Sequence, residues 1–236
     1  MEKIISFHQD FYPKLYKLHD CLAEILGVKE GDTPVKFLAM ALSSIIQDYE
    51  LAGYYYSIWS GERAFNKISL SKTPITPSQI VEENSQRLID LSKSTFIQII
   101  SSLEFCLKEI ALENFPKELQ DKASKKRNND IHLMDVMDIF EEKNIIDKNE
   151  KKIWRGINII RNKIVHNNCV AQEDLTLEFE IENLNYYKKD ISLPKRTIIL
   201  KKNEMIQGES MLFYELIGWI IRKYYFFTVK TYLKDY

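Results

Sequence analysis

The chain has 236 residues, 45% of them hydrophobic and 28% charged, with a net charge of −1 and only seven glycines and six prolines. That length buries a substantial core, and that balance belongs to a water-exposed globular fold built of long helices, not to a disordered, collagenous or disulfide-stapled chain. The near-zero charge argues against a generally basic nucleic-acid-binding surface, so any RNA site has to be local.

In chain order, Phe11, Leu15, Leu18, Leu22, Ile25 and Leu26 recur at helical spacing and predict a helix over 7–26, ended by Gly27. Thr33-Pro34 opens a second, running to about Ser60, whose Tyr54, Tyr55, Tyr56 and Trp59 read as packing groups. Residues 61–78 read as a connector, because Thr73-Pro74 and Thr76-Pro77 resist helix. Ser78 is expected to cap a long helix from Gln79 to about Asn114, with Pro116 closing it. The stretch 117–130 lacks a period and reads as a loop or a short helix. A helix follows over 131–143, and Asp147 caps the next one in a capping box with Glu150. Leu175, Leu177, Phe179 and Ile181 then alternate with polar residues, as a half-buried strand does, with Thr197–Leu200 as its partner. An aromatic-rich helix over about 209–233 ends the chain. The expected fold class is all-α, a helical bundle with a small β-hairpin. Residues 1–78 form an N-terminal helical extension and 79–236 the main domain.

Cys21, Cys106 and Cys169 are odd in number and widely spaced, which fits neither a disulfide framework nor a zinc site and points to the cytoplasm. The first residues, MEKIISFHQDFY, lack the long apolar core of a signal peptide. The longest apolar stretch, 211–229, is interrupted by Glu215, Arg222 and Lys223, so no membrane span is expected. The richest cationic run, Lys117 to Arg127, reads as solvated.

The segment with the most chemistry is Arg161-Asn162-Lys163-Ile164-Val165-His166. With Arg161 taken as zero on a helical wheel, Ile160, Ile153, Ile164 and Ile157 fall at roughly −100° to −40°, and Trp154 and Val165 at roughly +20° and +40°. The arginine therefore lies inside an apolar face, where a guanidinium is costly without a carboxylate, a second chain or an anion to pair it. Asn158, Asn162 and His166 form a line along the edge of that face. Two plainer readings stand beside this one. The arginine snorkels with its stem on the core, and the histidine complements the helix dipole.

The segment from Glu141 to Asn168, EEKNIIDKNEKKIWRGINIIRNKIVHNN, resembles the HEPN family (higher eukaryotes and prokaryotes nucleotide-binding domains). The resemblance rests on an Arg, a following polar residue and a His four to six residues beyond the Arg, late in an amphipathic helix: here Arg161, Asn162 and, after four intervening residues, His166. The helix over 92–113 resembles the family's preceding long helix, and the likeness extends from about residue 80 to the C-terminus. It implies a homodimer in which two motif helices meet, giving two arginines and two histidines in one cleft. It also implies metal-independent endoribonuclease activity, with roles in defence, toxin–antitoxin pairing or stress. Arg161, Asn162 and His166 would be catalytic, with Glu104, Asn158, Lys163 and Asn167 supporting, and with no cofactor and no metal. An antitoxin or a nucleotidyltransferase-type protein is an implied partner. The alternative within the resemblance is a non-catalytic helical dimer that binds RNA, a nucleotide or a partner protein. Outside it stands a purely structural interaction protein.

The chemistry fits the residue types. RNA carries its own nucleophile, the 2′-hydroxyl beside the scissile phosphate. Imidazole exchanges protons near neutral pH, and arginine matches phosphate oxygens with a planar, permanently charged fork. Asn162 is placed to orient the imidazole or a phosphate oxygen. Glu104, amid Leu103, Phe105 and Leu107, is either a functional acid or a solvent-facing partner of Lys108. His132 reads as a surface residue at the start of its helix, and His8 and His19 are out of phase for a metal pair.

Overall fold

Pro77 begins α1 (Pro77–Asn114), 38 residues long. Proline lacks only an N–H that the first helical turn leaves unpaired, so Pro77 starts the helix instead of holding the connector open to residue 78. The computed structural model describes residues 47, 77–166, 169–180, 195–206, 212–213 and 215–223. The expected helices over 7–26 and 34–60 (Gln47 apart), the connector before residue 77, Cys21, His8, His19, Tyr54, Tyr55, Tyr56, Trp59 and Asn167 lie outside the described residues.

Phe96, Ile99, Ile100, Leu103, Cys106, Leu107, Ile110 and Ala111 repeat every three or four residues along α1, and all are buried. The helix ends where Pro116 forces Phe115 out of helical geometry, to φ −137°. Pro116 also opens α2 (Pro116–Ser124), so a short helix occupies the start of the stretch that has no period. Next comes α3 (Leu133–Glu142), whose N-cap, His132, is extended and whose Leu133, Val136, Met137, Ile139 and Phe140 are buried. Its C-terminus closes in a Schellman motif. Ile145 N–H donates to the Phe140 carbonyl (2.8 Å) and Asn144 N–H to that of Glu141 (2.9 Å), with Asn144 left-handed at φ 57°.

The motif helix is α4 (Lys148–His166). The Glu150 N–H donates to Asp147 Oδ1 at 2.8 Å, so Asp147 is the cap the sequence predicts. The Glu150 carboxylate is engaged by Lys223, 2.8 Å away. Trp154, Gly156, Ile157 and Ile160 form the buried line of α4, with Ile153 and Ile164 partly buried beside it. Val165 departs from the expected face. It is 45% exposed.

Strands β1 (Leu175–Glu180) and β2 (Lys195–Leu200) form an antiparallel hairpin, with Leu175 opposite Leu200 and Leu177 opposite Ile198. Leu177, Phe179, Ile198 and Leu200 face the core, and Thr176, Glu178, Thr197 and Ile199 face outward. A final helix, α5, is described at 212–213 and 215–223.

Helices α1, α3 and α4 pack on one another, α2 lies on α1 and α3, and β1 packs on α4. Trp154 of α4 meets Trp219 of α5 edge-on, ring centroids 5.2 Å apart, and Phe96 of α1 meets Phe213 of α5 at 5.4 Å. Such aromatic pairs contribute roughly 0.5–1.5 kcal/mol each beyond the area they bury. Gly156 lets the hairpin approach: a Cβ there would sit 2.8 Å from Leu177 Cδ1, inside contact distance. The described residues are thus mainly helical with one small hairpin, as expected, and none of their helices is long and apolar enough to cross a membrane.

Candidate functional site

The last two turns of α4, the middle of α1 and the start of α3 enclose a pocket of about 530 Å³. Its lining includes Asn158, Arg161, Asn162 and His166 from α4, Glu104 from α1, and His132 and Asp135 at the head of α3, with Lys126 from the loop before it. The line read from the helical wheel, Asn158, Asn162 and His166, therefore borders a real concavity, and Arg161 opens onto the same space.

Arg161 is half-buried. Its Nη1 donates to Asn162 Oδ1 at 2.9 Å and its Nη2 reaches Ser101 Oγ at 3.5 Å. Its Nε is buried without a hydrogen-bond partner. Among the described residues no carboxylate stands within ion-pair distance of this guanidinium, so the internal carboxylate that an arginine on an apolar face calls for is absent there. Asn162 gives its carbonyl oxygen to Arg161 rather than to His166. His166 is exposed at the end of α4.

Glu104 makes the Lys108 pair of the plainer reading, but its side chain is only 17% exposed and does not face open solvent. Its Oε1 takes Lys108 at 3.0 Å, one turn on, and also accepts the Leu133 N–H at 3.2 Å. The second contact ties α1 to the N-terminus of α3, where a carboxylate is favoured by unpaired N–H groups. Asp135 accepts the His132 N–H at 2.7 Å and is ion-paired with Lys126. Burial pushes the Asp135 carboxyl up, but the Lys126 ammonium and the His132 N–H outweigh it and hold the group below the usual carboxylate range.

One of the expected supporting residues, Lys163, is not among those that line this pocket. Lys163 reaches away to Gln172 Oε1, 2.9 Å distant. Asn167 lies outside the described residues. Three residues that sequence reading left aside are present: His132, Asp135 and Lys126. The signal for them was available in part, since His132 followed three residues later by Asp135 is a helix-start pattern. What the sequence does not carry is that this start lies against α4. The cationic run read as solvated is in part paired, with Lys122 on Asp138 (3.4 Å) and Glu142 (3.2 Å) as well as Lys126 on Asp135.

A second cavity, about 560 Å³, lies between the start of α4, the hairpin and α5. Its lining holds no histidine and no arginine, and two of its three lysines are committed, Lys223 to Glu150 and Lys195 to Glu178 at 2.8 and 2.9 Å. Chemically it has less to offer. Among the described residues no group of three or more His, Cys, Asp or Glu side chains is arranged to hold a metal ion. No family model, no curated protein and no solved structure matches this chain.

Proposed function

We propose that this protein is a metal-independent endoribonuclease of the HEPN type, and that the pocket around Arg161 and His166 is its active site. One observation carries the reading: a half-buried guanidinium with no carboxylate partner among the described residues opens into the same concavity as an exposed imidazole. A permanent cation placed so is stabilised by an anion, and a phosphodiester supplies one. Arg161 binds the scissile phosphate and offsets the charge that builds on it during attack. Asn162 holds the guanidinium in place, and His166 moves a proton at the reacting oxygens. The 2′-hydroxyl of the substrate is the nucleophile, so the products are a 2′,3′-cyclic phosphate and a 5′-hydroxyl.

A helical HEPN-like bundle, homodimeric through its motif helices, is the assembly that goes with this reading, and the exposed Val165 on α4 is apolar surface available to it. A defence, toxin–antitoxin or stress role belongs to the same proposal. The test is incubation of the purified chain with single-stranded RNA in excess EDTA, with the new ends analysed by mass. Cleavage leaving 2′,3′-cyclic phosphate supports the reading. Activity that disappears with the chelator and returns with Mg²⁺ contradicts it.

A further inference from the structure

Cleavage through a 2′-hydroxyl needs two proton transfers, one away from the attacking oxygen and one onto the departing 5′-oxygen. His166 supplies one imidazole. The same pocket is lined by a second from the same chain, His132. Its side chain belongs to an exposed residue, while its backbone is fixed from two sides. The His132 N–H is held by Asp135 (2.7 Å) and the next N–H, of Leu133, by Glu104 (3.2 Å). Both carboxylates are themselves held, Asp135 by Lys126 and Glu104 by Lys108. The anchored helix start thus fixes the backbone that carries this imidazole at the wall of the Arg161 pocket.

We infer that His132 is the second proton-transfer residue, so that His132 and His166 of one chain form the acid–base pair around the phosphate bound by Arg161. The inference rests on the RNA-cleavage reading above. One imidazole takes the proton from the 2′-oxygen as the bond from that oxygen to phosphorus forms. The other, protonated, gives its proton to the 5′-oxygen as the phosphorus–5′-oxygen bond breaks. No electrons leave the system, and one proton is taken up for each one released. The charged groups that share the pocket with His132 are Glu104, Lys126, Asp135 and Arg161.

The experiment compares full-length wild type, His132→Ala, His132→Gln and His166→Ala on two substrates, with thermal melting as a control for folding. One substrate is an RNA dinucleotide. The other is a nucleoside 3′-(4-nitrophenyl phosphate), whose leaving group departs without a proton. On the dinucleotide both His132 variants and His166→Ala are expected to lose about 10²–10⁴-fold in single-turnover rate. On the aryl ester one of the two positions recovers, because the acid is no longer needed, and the other stays slow. A purely structural role for His132 produces no such recovery pattern.

Wild-type rates in His132→Ala on the dinucleotide overturn the inference. Equal losses at both positions on both substrates also overturn it. So does recovery of activity when His132→Ala and His166→Ala chains are co-expressed, since that means a site shared between chains. His166→Ala dead with His132→Ala fully active sinks this inference and leaves the ribonuclease reading standing. Wild type that cuts neither substrate sinks both.

Discussion

Glu104 is the joint between the long helix and the pocket, and replacing it tests whether the pocket's geometry is built as described. Its Oε1 accepts the Leu133 N–H at 3.2 Å and pairs with Lys108 at 3.0 Å. Losing a side-chain acceptor at a helix start costs about 0.5–2 kcal/mol. The pair with Lys108 is an i, i+4 contact with a third of the lysine side chain exposed, so it adds only about 0.3–0.5 kcal/mol. Glu104→Ala is therefore expected to destabilise the chain by about 1–2 kcal/mol, most of it from the lost cap. Glu104→Gln keeps an acceptor for the Leu133 N–H and loses the charge, so its cost should be about 0.5–1 kcal/mol. Urea unfolding monitored by circular dichroism reads both values, provided the denaturant slope is unchanged. Glu104→Ala at wild-type stability, or Glu104→Gln costing as much as Glu104→Ala, would refute the assignment of the carboxylate as an inter-helix cap.

Two further outcomes follow from the packing and the charges. The Asp135 carboxyl is held below its ordinary range in the folded state, so its stabilising contribution is complete above the unfolded carboxylate range and fades as pH falls through the folded value. The stability gap between wild type and Asp135→Asn should therefore be constant at neutral pH and close on acidification below about pH 4, and a gap that widens on acidification would have the wrong sign. Gly156→Val should cost about 1–3 kcal/mol, because its Cβ would overlap buried Leu177, 2.8 Å from Cδ1, and valine brings little helix propensity in return. Thermal unfolding of that variant at the wild-type temperature would mean that the hairpin yields freely.

How much of this was legible in the sequence depends on how local each feature is. The Asp147 cap and the alternation in β1 depend on residues close in sequence, and each is where the pattern puts it. The order Asn158, Asn162, His166 along one edge of α4 follows from helical geometry alone. Val165 was not legible, because a wheel gives the direction of a side chain and not what packs against it. The partner of Asn162 was not legible either, since its carbonyl can turn to Arg161 or to His166 without changing the helix. His132 was read correctly as an exposed residue beginning a helix, but its place at the pocket that Arg161 also lines is set by how α3 packs on α4, a contact between segments with no sequence signature of its own.

The central claim is that the Arg161–His166 pocket performs chemistry on RNA and does not only bind it. The most direct measurement is single-turnover cleavage and equilibrium RNA affinity on the same preparations of wild type, His166→Ala and Arg161→Ala. His166→Ala should lose about 10²–10⁴-fold in rate with affinity and fold unchanged, because its work is proton transfer. Arg161→Ala should lose both rate and affinity, and some stability as well, since its stem lies on the apolar face. Wild type that binds RNA without cutting it, with His166→Ala differing from it only in thermal stability, would contradict the account and leave the pocket as an anion-binding surface.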